Sequence, residues 1–135
     1  MSNNPPTVAF DFDGVISTYE GWKGFDVFGE PIPETIEAIR QLKKSGFYII
    51  IFTSRMDTPN LREWLKKHKV PYDDINQNRK SPPHTSCKPY YHCIVDDRAL
   101  HFNTKGAYWD TETLIKAITR ITNDAMHKGD KNGQN

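Results

Sequence analysis

The sequence has little of what staples a small chain or ties it to a surface. Its 135 residues include only two cysteines, Cys87 and Cys93, six positions apart. That count excludes a disulfide framework, and the spacing matches no familiar metal-ligand pattern. No apolar run approaches the roughly 20 residues needed to cross a bilayer. The opening MSNNPPT lacks a basic-then-apolar pattern, so no export signal is read and a reducing cytoplasm is the expected compartment. Neither sign of charge dominates, with 18 Lys and Arg against 17 Asp and Glu. No global field therefore draws the chain to nucleic acid or to an anionic membrane, although a local basic patch is not excluded. Internal repeats are absent too. What remains is a chain long enough for a real core. The expectation is one domain over residues 7–127, between a flexible lead-in (1–6) and a polar tail (128–135).

The hydrophobic pattern alternates two kinds of segment. VAFDF, FYIIIF and YHCIV are short continuous apolar runs, which suit strands covered on both faces. They place strands at 7–12, 47–52 and 91–95, with short ones expected at 73–76 and near His101-Phe102. Between them lie helical patterns. Pro33 and Glu34 open one that turns Ile36, Ile39 and Leu42 inward and stops at Gly46. Asp57 or Thr58 caps a second, with Pro59 at its start and Leu61, Trp64 and Leu65 on its apolar face. Asp110 or Thr111 begins a third, with Leu114, Ile115, Ile118 and Ile121 expected to face the core. Residues 77–90 read as a proline-rich loop. Residues 14–33 read as a long loop or small hairpin, pinned to the body by Trp22, Phe25 and Phe28; loops of that length are often functional. Strands alternating with helices imply an α/β fold: a Rossmann-like three-layer α/β/α sandwich around a parallel sheet. In such sheets the ligand site lies at the carboxyl ends of the strands.

That edge is where the polar residues gather. Asp11 and Asp13 end the first strand, two residues apart and so on one side of an extended segment. Paired carboxylates repel and are costly to desolvate, and a divalent cation is the simplest compensation. Gly14 follows at once and lets the backbone turn close to a ligand. Thr53, Ser54 and Arg55 end the second strand, and Asp96, Asp97 and Arg98 end another.

In this order, DFDGV at 11–15, a strand ending in Thr53, Lys88, and a strand ending in Asp96-Asp97 resemble the four motifs of the haloacid dehalogenase superfamily. The likeness spans residues 8–97. It implies that Asp11 is a nucleophile that becomes an aspartyl phosphate, and that Asp13 is the general acid and then base. It also implies that Mg²⁺ is held by the carboxylates of Asp11 and Asp96 and the backbone carbonyl of Asp13. Asp97 is either a further ligand, through water or directly, or the group that orients Lys88. Thr53 and Lys88 would meet the phosphoryl group, with Ser54 and Arg55 as further substrate contacts. Lys80 competes for the lysine role, but Lys88, eight residues before Asp96, is better placed to reach across the strand ends. An Asp at position 13 favours phosphatase or phosphomutase chemistry over a dehalogenase or phosphonatase. Val15 stands where the family usually has Thr, which changes no catalytic group.

The two gaps where the superfamily inserts caps are short here, so no separate cap domain is expected. An open site admits a phosphorylated macromolecule, a nucleic-acid end or a second subunit; small substrates fit if the 16–33 loop folds over. The leading expectation is a Mg²⁺-dependent phosphomonoester hydrolase. One alternative is a nucleic-acid 3′-phosphatase or nucleotidase, since Asp96-Asp97-Arg98 is also similar to the phosphatase half of polynucleotide kinase–phosphatases. Another is a binding or regulatory module without turnover. Arg55 and Arg98 suit a second phosphate or a carboxylate, or a salt bridge to a neighbouring acid. Tyr19, Trp22 and His84 offer stacking surfaces, with packing onto the core the preferred role.

Overall fold

A computed structural model describes residues 5–102 and 110–127. The ends of the expected lead-in and tail, residues 1–4 and 128–135, lie outside the described residues. The chain divides into two compact bodies: Glu20–Trp22 and the chain from Asp97 onward belong to the second, and the rest to the first.

The first body holds a four-stranded, fully parallel sheet of β1 (Thr7–Phe10), β2 (Tyr48–Ile51), β3 (Asp74–Ile75) and β4 (Cys93–Val95). The spatial order is β3-β2-β1-β4. The central β1 is buried at every position, as is β2. Alternate residues divide between the two faces. Val8, Phe10, Ile49 and Ile51 join a core cluster with Ile36 and Ile39 of α1 (Pro33–Lys44) and Leu61, Trp64 and Leu65 of α2 (Pro59–Lys67). Ala9, Tyr48 and Ile50 form a second cluster with half-buried Phe52, Tyr91 and Ile94. The α/β class and the parallel sheet are therefore as the apolar runs implied.

Both helices end by local chemistry. Pro33 and Pro59 occupy first-turn positions whose N–H would have no intrahelical acceptor. Thr58 caps α2, its hydroxyl accepting from the Leu61 N–H at 3.2 Å. After α1, the Gly46 and Phe47 N–H groups close back onto Lys43 and Leu42, with Gly46 at φ +93°. After α2, Lys69 and Val70 make the same pair of bonds to Lys66 and Leu65, with Lys69 at φ 58°.

The 14–33 segment is stapled at its base. The Thr18 N–H bonds the Glu30 carbonyl and the Ile32 N–H bonds the Ile16 carbonyl, both at 2.8 Å. Of the three aromatics expected to pin it, Phe28 does so, edge-on to Phe12 with centroids 6.1 Å apart. Trp22 is 59 % exposed and Phe25 60 %. An aromatic in a loop reads as an anchor from sequence, but only the backbone path decides which ring faces inward.

Residues 77–90 are turns and bends with no helix, and His101-Phe102 is in no strand. In the second body α3 (Thr111–Met126) is capped by Asp110, which accepts from the Thr113 N–H at 2.7 Å. Its expected core-facing stripe is not buried: Leu114 and Ile121 are half-buried, and Ile115 and Ile118 are exposed. Periodicity marks which side of a helix favours burial, and the surface that would cover it is not written in the helix.

Candidate active site

The strand register assembles the site. Phe10 pairs with Val95 on β4, and the Asp11 N–H continues the ladder to the Val95 carbonyl at 2.8 Å. The next residues, Asp11 and Asp96, therefore leave adjacent parallel strands side by side. One carboxylate oxygen each from Asp11, Asp96 and its chain neighbour Asp97 lies within 4.8 Å of the others. Three acids this close repel strongly when ionised. Their hard oxygen donors fit a hard divalent cation such as Mg²⁺, so this acidic cluster has the makings of a metal site.

Asp13 is not in that group of carboxylates. Phe12, between the two acids, is fully buried against Trp64, ring centroids 4.9 Å apart. Gly14 then turns the chain at φ +89°, its N–H bonding the Ser17 carbonyl at 2.7 Å. Asp13 meets Arg55 in a bidentate pair: Nε to Oδ2 at 2.8 Å and Nη2 to Oδ1 at 3.0 Å. Arg55, read from sequence as either a substrate contact or a salt-bridge partner of a neighbouring acid, is turned inward and only 5 % exposed. Its guanidinium lies over the Phe28 ring at 4.7 Å from the centroid.

Thr53 is buried at the end of β2, and its hydroxyl accepts from the Arg55 N–H at 3.0 Å. Its own O–H remains available to donate. Ser54 stands exposed between them. Asn76 at the end of β3 escaped the sequence reading. Its Oδ1 accepts from the Thr53 N–H at 2.7 Å and its Nδ2 donates to the Arg55 carbonyl at 3.3 Å, bracketing the Thr53–Arg55 turn. The one available signal was its position just past a strand, where the ligand edge lies.

The lysines separate. The Lys80 ammonium sits 5.4 Å above the Tyr48 ring. Tyr48 is the first residue of β2, roughly 16 Å along the strand from Thr53 at ~3.3 Å per residue. Lys88 is exposed on the 77–90 loop, lining a polar groove of about 410 Å³ that reaches Asn76. Among the described residues it is in no ion pair. The structure thus brings Asp11, Asp96 and Asp97 together, and separately Asp13, Arg55, Thr53 and Asn76; it does not bring the Lys88 ammonium into contact with either set.

No protein-family model and no curated protein matches the chain. Solved structures do. A conserved protein from Bacteroides thetaiotaomicron is similar at 23% identity and TM-score 0.57, over 87% of this chain and 92% of that one. A chain of the Pnkp1/Rnl/Hen1 RNA repair complex is similar at 18% identity and TM-score 0.53, over 73% of this chain and 38% of that one. A protein from Vibrio cholerae is 25% identical, over 85% and 98% of the two chains, at TM-score 0.47. At these identities the likeness is one of fold alone: a Rossmann-like α/β architecture.

Proposed function

We propose that this chain is a Mg²⁺-dependent phosphomonoester hydrolase of the haloacid dehalogenase type, with Asp11 as nucleophile and Asp13 as general acid and base. The observation that carries this reading is the parting of two acids only two residues apart. Asp11 stands with Asp96 and Asp97, and Asp13 is held apart from them by Arg55. A metal-side nucleophile and a separate proton carrier are the two jobs that phosphate-ester cleavage through an enzyme carboxylate requires.

Asp11, Asp96 and Asp97, with the Asp13 backbone carbonyl, would hold the cation. When bound, Mg²⁺ supplies positive charge that offsets repulsion between the carboxylate and the phosphate. Asp11 attacks phosphorus and becomes the aspartyl phosphate. Asp13 gives a proton to the departing oxygen, then takes one from the water that cleaves the acyl phosphate. Thr53, its hydroxyl oxygen engaged by the Arg55 N–H, directs its O–H to a phosphoryl oxygen. Ser54 stands beside it. Lys88 adds charge to the phosphate from the 77–90 loop, its four-carbon stem giving it reach.

A site without a separate cap domain would suit a substrate that brings its own bulk, and a nucleic-acid 3′-phosphate is the macromolecular candidate to set beside sugar and nucleotide phosphates. Hydrolysis should be measured on an aryl phosphate, a sugar phosphate and a 3′-phosphorylated oligonucleotide, with Mg²⁺ and with chelator. The expected result is Mg²⁺-dependent phosphate release that falls by ~10⁴-fold or more in Asp11→Asn, as for loss of a catalytic nucleophile. Bound Mg²⁺ with no turnover across the panel would favour a binding module, and activity retained in Asp11→Asn would overturn the mechanism.

A further inference from the structure

Arg55 spends its buried guanidinium on two parts of the chain at once. Two of its hydrogen bonds go to Asp13, 42 residues earlier. Two more go to backbone carbonyls of the long loop: Nη1 to Phe25 O at 3.0 Å and Nη2 to Val27 O at 2.8 Å. Its own backbone is bracketed by Thr53 and Asn76. The planar fork is what permits this. A bidentate carboxylate contact fixes its plane, and the outward N–H groups then point at fixed directions. A buried charge so committed is costly to leave half-paired.

The loop itself is firm at the same place. The Val27 N–H bonds the Gly24 carbonyl at 3.2 Å, with Gly24 at φ +128°. Phe28 packs beneath the guanidinium. The Phe25 and Val27 side chains are exposed while their carbonyls face Arg55. The loop is thus attached through its backbone, at the two carbonyls that flank Asp26.

We infer that Arg55 is a positioning residue: it aims the Asp13 carboxylate for proton delivery and fastens the 24–28 segment to it, so that loop order and leaving-group protonation depend on one side chain. This rests on the phosphatase reading above. It departs from a substrate-binding role for Arg55, because the N–H groups that would grip a phosphate are engaged by Asp13 and the loop.

The test compares wild type, Arg55→Lys and Arg55→Gln on two Mg²⁺-supported substrates, an alkyl phosphate and 4-nitrophenyl phosphate. The nitrophenolate leaves without needing a proton; the alkoxide does not. Misplacing the general acid should lower kcat/KM, which reports the steps up to the aspartyl phosphate, by ~100-fold on the alkyl ester, the lower range of general-acid contributions, and by under ~10-fold on the aryl ester. Amide hydrogen exchange should rise at Val27 in both variants, and Arg55→Lys, which keeps the charge and the fold, covers the case in which Arg55→Gln does not fold. Equal kcat/KM losses on the two esters, a kcat/KM loss arising from KM alone, or unchanged exchange at Val27 would each overturn the inference while leaving the phosphatase reading standing. A wild type inactive on both esters would overturn that reading and this inference with it.

Discussion

Asn76 carries two loads on one side chain, and its backbone carries a third. It bonds the N–H of Thr53 and the carbonyl of Arg55 while sitting at φ 58°, a region Asn enters more readily than other non-glycine residues. Its replacement by Gly keeps the backbone and loses the bracket; by Ala it loses both. Each lost set of bonds should cost about 1–3 kcal/mol, and Asn76→Ala should be less stable than Asn76→Gly by about 1 kcal/mol more. Denaturant unfolding of the two variants checks this, and equal stabilities would contradict the strain argument. At this scale the sequence was legible where chemistry restricts residue type. Asp11, Asp96 and Asp97 stood out because charged oxygen donors suit a hard cation, and the structure brings their carboxylates within 4.8 Å of one another. Asn76 was not legible, and the inward turn of Arg55 was legible only as one of two readings. Their partners lie 21 to 42 residues away, and nothing local distinguishes a buried Arg from a substrate-facing one.

The element that shapes the site is the base of the 14–33 loop, and its tightest point is Gly29. A Cβ there would lie 2.0 Å from the Thr18 carbonyl oxygen and 2.6 Å from its hydroxyl. The neighbouring Glu30 N–H bonds that hydroxyl at 2.9 Å, and the Trp64 indole N–H reaches the Gly29 carbonyl at 3.3 Å. Gly29→Ala should therefore part the stem, lowering stability by about 1–3 kcal/mol, the usual cost of forcing atoms into a filled space. Limited proteolysis should show faster cutting within residues 19–28, and wild-type cutting rates would contradict the close-approach argument. The helices were legible nearly to the residue, because Pro59, Thr58 and Gly46 are local signals read over three or four positions. Strand ends were less so: the runs at 47–52 and 91–95 shrink to Tyr48–Ile51 and Cys93–Val95. An apolar run marks burial, but the ladder ends where the partner strand ends. The loop's aromatics and the α3 stripe failed for a related reason, since hydrophobicity does not name the surface that covers it.

Across the whole molecule, the parallel sheet separates a ligand edge from an opposite edge devoted to stability. At that second edge Tyr48 donates to buried Asp74, which Arg79 also holds. Burial, then the hydrogen bond and charge of Asp74, push the Tyr48 phenol from its ordinary 10.0 up to about 12. A phenol whose folded value is raised stabilises the protein fully below the unfolded value. That contribution is lost as pH rises from about 10 to about 12, because the unfolded chain then binds fewer protons. Unfolding midpoints measured from about pH 8 to about pH 11 should fall at the alkaline end in wild type and fall less in Tyr48→Phe; identical slopes would contradict this assignment. The alternation of buried strands and amphipathic helices made the α/β class readable, and the rule that ligands sit at strand carboxyl ends pointed to the edge holding Asp11, Thr53, Asn76 and Asp96. In the proposed mechanism Asp11 forms the covalent intermediate there. Borohydride added during turnover of a phosphate ester reduces an acyl phosphate, and peptide mass spectrometry then locates the reduced residue. Homoserine is expected at position 11, dependent on Mg²⁺ and substrate; turnover with Asp11 unmodified, or reduction at another residue, would contradict the nucleophile assignment.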